Sequence, residues 1–137
     1  MKVYGYCRIS TSKQSMERQI RNIKLAYPDA VIVKETYTGT KIQGRKEFEK
    51  LLKIVSTGDT LVFDSVSRMS RTAQEGYEMY QKLYNQGVSL VFLKEPHINT
   101  STYQQAMENQ LSVNVKTGDQ ASEELLSGIF GALNRYM

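Results

Sequence analysis

Apolar positions along this chain alternate between two periods. Val3 to Arg8 (VYGYCR) is nearly continuous in apolar character and predicts a buried strand. Gln14 to Tyr27 then carries Met16, Ile20, Ile23 and Tyr27 at helical spacing, while Arg18, Arg21 and Lys24 face elsewhere. Ala30 to Thr36 (AVIVKET) reads as a second strand, set between Pro28-Asp29 and the glycine-containing loop TYTGTKIQG. Arg45 to Val55 aligns Phe48, Leu51, Leu52 and Val55 on one helical face, and Gly58 stops it. Thr60 to Phe63 is a third short strand. SVSRMSR leads from it to a helix opened by a capping box, Thr72 to Glu75, faced by Ala73, Tyr77, Tyr80 and Tyr84 and closed by Gly87. Val88 to Leu93 is the fourth strand.

Strand and helix in strict alternation predict an α/β fold: a mainly parallel sheet of four to five strands, helices on both faces, and right-handed crossovers. The optional fifth strand is LSVNVKT, residues 111 to 117, preceded by a short helix capped at Ser101 to Gln104 and running through Met107. From Asp119 a broad apolar stripe of Leu125, Leu126, Ile129, Phe130, Leu133 and Met137 marks a long C-terminal helix. That helix reaches the last residue without a stop signal. We therefore expect a core over 1–118 and the start of a longer helix over 119–137, with the chain being one domain of a larger protein.

A length of 137 residues supports one core. No apolar run is long enough to cross a bilayer and the N-terminus lacks a secretory signal, so no membrane partner and a cytoplasmic location are expected. One cysteine, Cys7, and one histidine, His97, exclude a Cys/His metal cluster, and Cys7 is expected in the core and His97 on the surface. The net charge of +4 hides a gradient: residues 1–71 hold fourteen basic and seven acidic side chains, residues 72–137 four and seven. A basic half of this kind suits a polyanion, nucleic acid first, although a solubilising excess of lysine gives the same balance.

Candidate chemistry gathers where strands end, since open parallel sheets bind ligands beyond their carboxyl edges. Arg8 and Ser10 follow the first strand, Arg45 the loop after the second, and Arg68 and Arg71 the third. Strand parity puts Tyr6, Arg8 and Ser10 on one side with Cys7 and Ile9 on the other. A helical turn through SRMSR would place Arg68 and Arg71 together at i, i+3. Four converging guanidinium groups repel unless an anion joins them, and phosphate matches their planar fork. Surface carboxylates are the competing partners for the same arginines. Other motifs fail. GTKIQGRKE imitates a phosphate-binding loop but has Arg45 and Lys46 where lysine and a hydroxyl are required, so no nucleotide is expected. No histidine-based hydrolytic triad fits either.

At these residues the sequence resembles the serine recombinases, the resolvase and invertase family. YCRISTSKQSMERQ resembles the family's opening Y-x-R-[VI]-S-x-x-x-Q and its later glutamine. GRKEFEKLL resembles the segment with the second arginine, GDTLVF the third strand, SRMSR the D-R-L-x-R motif, INTST the I-D-T-S-T turn, and GALNRYM the start of the G-A-x-A-E-x-E-R helix. The resemblance implies a resolvase-like fold and site-specific recombination of double-stranded DNA. Ser10 would attack a phosphodiester, form a covalent 5′-phosphoseryl bond and allow strands to be exchanged and rejoined. It implies that Arg8, Arg45, Arg68 and Arg71 activate the scissile phosphate, that Gln14 and Gln19 assist, and that no cofactor, metal or ATP is consumed. It further implies homodimers pairing into synaptic homotetramers through Leu125, Leu126, Ile129, Phe130 and Leu133.

Two departures stand out. Ser67 occupies the place of the family's aspartate before the arginine of D-R-L-x-R, with Asp59 and Asp64 as nearby candidates to replace it. The chain also stops before E-x-E-R and before any DNA-binding domain. The alternatives are a catalytically inactive relative acting only in DNA binding or assembly, and a flavodoxin-like or receiver-type binding module. A receiver would show paired acidic residues after the first strand, where this chain has Arg8 and Ser10.

Overall fold

A computed structural model describes residues 1–9, 13–36, 44–70 and 72–105. Its elements are β1 (Val3–Ile9), α1 (Lys13–Ala26), β2 (Val31–Thr36), α2 (Lys46–Ile54), β3 (Thr60–Phe63), α3 (Val66–Met69), α4 (Ala73–Asn85), β4 (Ser89–Phe92) and a 3₁₀ turn, Pro96–Ile98. Helical backbone resumes over 100–105. The expected fifth strand and C-terminal helix lie outside the described residues.

All strand pairs are parallel, in the order β2-β1-β3-β4. Strand parity divides the core in two. On one face Cys7, Ile23, Ala30 and Val62 pack with Met16 and Ile20, which is the apolar stripe of α1. On the other, Tyr4, Tyr6, Leu61, Phe63, Leu90 and Phe92 meet Phe48 and Leu51 of α2 and Tyr80 and Leu83 of α4. Aromatic rings dominate this second layer: Phe63 stacks on Phe92 with centroids 5.4 Å apart, and Tyr6 lies 4.6 Å from Phe48. Helices thus cover both faces, as the alternating pattern predicts.

Local chemistry sets the joints. Gly58 (φ 94°) and Gly87 (φ 80°) adopt left-handed backbone just before β3 and β4, a conformation that side chains disfavour. The Gly58 N–H donates to the Gly87 carbonyl at 2.9 Å, so the two turns brace each other. Two sequence expectations differ. A separate helix, α3, interrupts SVSRMSR and stops at Met69, where Ser70 is extended (φ −151°, ψ 150°); the expected pairing of Arg68 with Arg71 lies outside the described residues. Thr72 stands at the N-cap of α4, yet its side chain makes no capping bond; the Ser70 hydroxyl engages the Thr72 backbone instead.

Candidate active site

The sheet order creates a switch point between β1 and β3. From β1 the chain turns to α1 on one face, and from β3 to α3 and α4 on the other, so the two carboxyl ends lead to opposite faces of the sheet. Arg8 lies on β1 at that edge, on the α2 side with Tyr6, and is 1% exposed. Its guanidinium donates to the Ser67 carbonyl at 2.6 Å and, through Nε, to the Arg68 carbonyl at 3.2 Å. Arg45, fully buried at the N-cap of α2, donates to the Met69 carbonyl at 2.5 Å and the Arg68 carbonyl at 3.4 Å. Arg68, half-buried, returns the contact by donating to the Arg8 carbonyl at 3.2 Å and to the Ser15 hydroxyl at 3.2 Å. Two guanidinium groups, of Arg8 and Arg45, therefore meet on the carbonyl oxygens of one turn, which offset part of their mutual repulsion, and the Arg68 side chain ties that turn back to the end of β1.

Gln19, completely buried on α1, accepts the Arg8 N–H and donates to the Arg8 carbonyl, both at 3.1 Å. Its amide does for the Arg8 peptide what a neighbouring strand would do, and fixes the backbone from which Ser10 follows. Gln14 belongs to the first turn of α1. Ser10 and Arg71 lie outside the described residues, as do Leu125, Leu126, Ile129, Phe130 and Leu133.

The two carboxylates expected near Ser67 separate. Asp59 stands at the opposite, amino edge of β3, where it accepts N–H groups from Lys2 and Ser56, each at 3.0 Å. Those bonds hold its carboxyl below the usual aspartate range. It is not part of the cluster, because the four residues of β3 lie between it and the carboxyl edge. Asp64 is at the correct edge but on the α1 side, tied to Asn22 at 2.9 Å and Lys94 at 3.3 Å. Ser67 places its hydroxyl 2.8 Å from that of Ser65.

Glu35, which sequence reasoning did not single out, sits beside Arg8 in the β1–β2 register and is buried. It accepts the Tyr6 hydroxyl at 3.1 Å and the Phe48 and Glu47 N–H groups at 3.0 and 3.3 Å. The carboxylate thereby docks the start of α2, and with it Arg45, on the sheet. Burial, then the Glu35 charge, pushes the Tyr6 phenol above its ordinary range. Cys7 is buried on the α1 face and its thiol is pushed up to about 12, chiefly by burial and next by Asp64, so it is no nucleophile near neutrality. Among the described residues no cluster suits a metal ion and no helix is long and apolar enough to cross a membrane.

Fold and site together define a parallel α/β domain with arginines gathered at its topological switch point. The family model for the resolvase N-terminal domain matches residues 3–124, and the chain belongs to that family. A resolvase of Clostridium perfringens is 30% identical over 98 residues, covering 71% of this chain and 51% of the relative. The transposon Tn21 resolvase of Escherichia coli is 32% identical over 107 residues, covering 77% and 53%. The chain spans about half the length of the curated relatives it matches. The N-terminal catalytic domain of TP901-1 integrase shares the fold with a TM-score of 0.63 at 17% identity, over 99% of this chain and 95% of that one. A resolvase-family site-specific recombinase from Streptococcus pneumoniae does so at 0.56 and 23%, over 90% and 97%.

Proposed function

We propose that the chain is the catalytic domain of a serine site-specific recombinase acting on double-stranded DNA. The observation that carries this reading is the interlock of Arg8, Arg45 and Arg68 around residues 67–69, at the strand end that leads directly to Ser10. The Ser10 hydroxyl attacks a DNA phosphorus, the new Oγ–P bond replaces the P–O3′ bond, and the departing 3′ oxygen takes up a proton. Arginine charge stabilises the negative charge gathering on the phosphoryl oxygens. The 5′-phosphoseryl bond keeps the energy of the phosphodiester, so a 3′-hydroxyl of an exchanged strand rejoins it without ATP. In this reading Gln14 and Arg71 complete the site and the work is done in the cytoplasm. Residues 119–137 begin a helix whose face of Leu125, Leu126, Ile129, Phe130 and Leu133 joins dimers and synaptic tetramers.

Incubation of the full-length polypeptide with site-bearing DNA in EDTA, followed by denaturation, should leave protein covalently joined to DNA, and Ser10→Ala should abolish the adduct. Absence of a wild-type adduct, or its persistence in Ser10→Ala, overturns the mechanism. Ser67 in place of the family aspartate favours the second reading, an inactive relative that binds DNA or assembles without cutting; retarded DNA with no adduct is its signature.

A further inference from the structure

The turn through residues 65–69 carries Arg68 and accepts hydrogen bonds from Arg8 and Arg45, and one buried carboxylate holds its start. Glu95 follows β4, two strands from β1, and is 1% exposed. Its Oε1 accepts the Val66 N–H at 2.6 Å. Val66 is the first residue of α3, and Ser65 before it makes no side-chain cap, so Glu95 supplies from another loop the acceptor that a capping residue normally supplies. That loop is itself fixed. Glu95 N–H donates to the Phe92 carbonyl at 3.1 Å, while Leu93 and Lys94 donate to the Phe63 and Asp64 carbonyls at 3.0 Å. A hydrogen-bonded path runs from β4 through Glu95 to α3, and from the carbonyls of Ser67, Arg68 and Met69 to Arg8 and Arg45.

We propose that Glu95 is a positioning residue of the phosphate site: through the Val66 N–H it sets the α3 carbonyls that orient Arg8 and Arg45. The proposal rests on the recombinase reading for what those arginines do to DNA, but not for the geometry. Around the carboxylate stand Lys94 beside it, Asp64 at the end of β3, and His97 in the following turn. Burial raises its carboxyl above the usual glutamate range, against the opposing pull of the Val66 N–H and Lys94. The acceptor therefore loses its charge at a pH where a surface glutamate stays ionised.

The test compares Glu95→Ala and Glu95→Gln in the full-length polypeptide, since glutamine keeps an acceptor oxygen and alanine does not. Without DNA, hydrogen exchange at the Val66 amide and at Arg8 Nε should accelerate about tenfold or more in Glu95→Ala and stay near wild type in Glu95→Gln. With DNA, the adduct yield should fall about tenfold or more in alanine and be largely rescued by glutamine. Wild-type exchange at Arg8 Nε in the alanine variant, or failure of glutamine to rescue, overturns the proposal. Should Glu95→Ala not fold, the wild-type pH titration decides: a Val66 amide resonance that stays still while the Glu95 carboxyl titrates overturns it equally. A wild type that forms no adduct counts against the recombinase reading, and the exchange result then judges Glu95 alone.

Discussion

Arg8 and Arg68 hold each other by the backbone. Arg8 Nε donates to the Arg68 carbonyl and an Arg68 guanidinium nitrogen donates to the Arg8 carbonyl, both at 3.2 Å. Each side chain therefore positions the peptide that carries the other. Hydrogen bonds from charged donors contribute about 1.5–3 kcal/mol each, and lysine, a compact point charge, does not reproduce the planar fork. Arg8→Lys and Arg68→Lys should each destabilise the domain by about 1–3 kcal/mol. The double variant should cost less than the sum, with a coupling of about 0.5–3 kcal/mol. Urea unfolding of the four proteins in the cycle measures this, and strict additivity would show that the two contacts act independently.

The same backbone depends on Gln19. Gln19→Leu keeps much of the side-chain volume but removes the acceptor of the Arg8 N–H and one of the two donors to its carbonyl, which Arg68 still reaches, at an expected cost of about 1–3 kcal/mol for a buried unsatisfied N–H. Faster hydrogen exchange at the Arg8 amide, out of proportion to the rest of β1, is the local sign. Uniform acceleration along the strand would instead indicate a global loss of stability.

The pattern of apolar positions was enough to place β1, α1, β2, α2, β3, α4 and β4, since each buries one face and its period declares which. Met16, Ile20 and Ile23 pack as their spacing predicts, as do Phe48 and Leu51. Parity separated Arg8 from Cys7 for the same reason. What remained hidden was long-range and polar. Nothing in VIVKET distinguishes Glu35 from a solvent-facing residue until α2 descends on it, and nothing in KEPHI announces that Glu95 reaches Val66, 29 residues away. Asp59 misled because nearness in sequence to β3 does not say which end of the strand a residue occupies.

Asp59 provides a pH-dependent contrast. Backbone N–H groups of Lys2 and Ser56 lower its carboxyl from the ordinary aspartate value, which is about 3.9 in an unfolded chain. The stability it contributes is therefore present above that value and is lost as pH falls through the lowered, folded-state one. Asp59→Asn should lower the melting temperature at neutral pH, with the gap to wild type narrowing and closing in acid. Because Asp59 lies at the amino edge, adduct formation by the folded variant should match wild type. A loss of cleavage at full stability would place Asp59 in the chemistry after all.

Ser67 stands where the resemblance of SRMSR to D-R-L-x-R implies an aspartate. Its carbonyl is committed to Arg8 and its hydroxyl lies against Ser65. Asp64, at the same edge of the sheet, is buried and fastened to Lys94 and Asn22, so it is poorly placed to accept a proton at the arginine cluster. An aspartate at 67 would bring a half-exposed carboxylate onto the turn that Arg8, Arg45 and Arg68 share. If proton transfer from that position limits cleavage, Ser67→Asp should speed adduct formation by about 10²-fold or more, the usual contribution of a positioned acid or base. Ser67→Asn, equal in shape but unable to titrate, separates the causes. A gain with aspartate alone identifies proton transfer, an equal gain with both identifies packing of the turn, and no gain with either means that serine at this position does not limit the reaction.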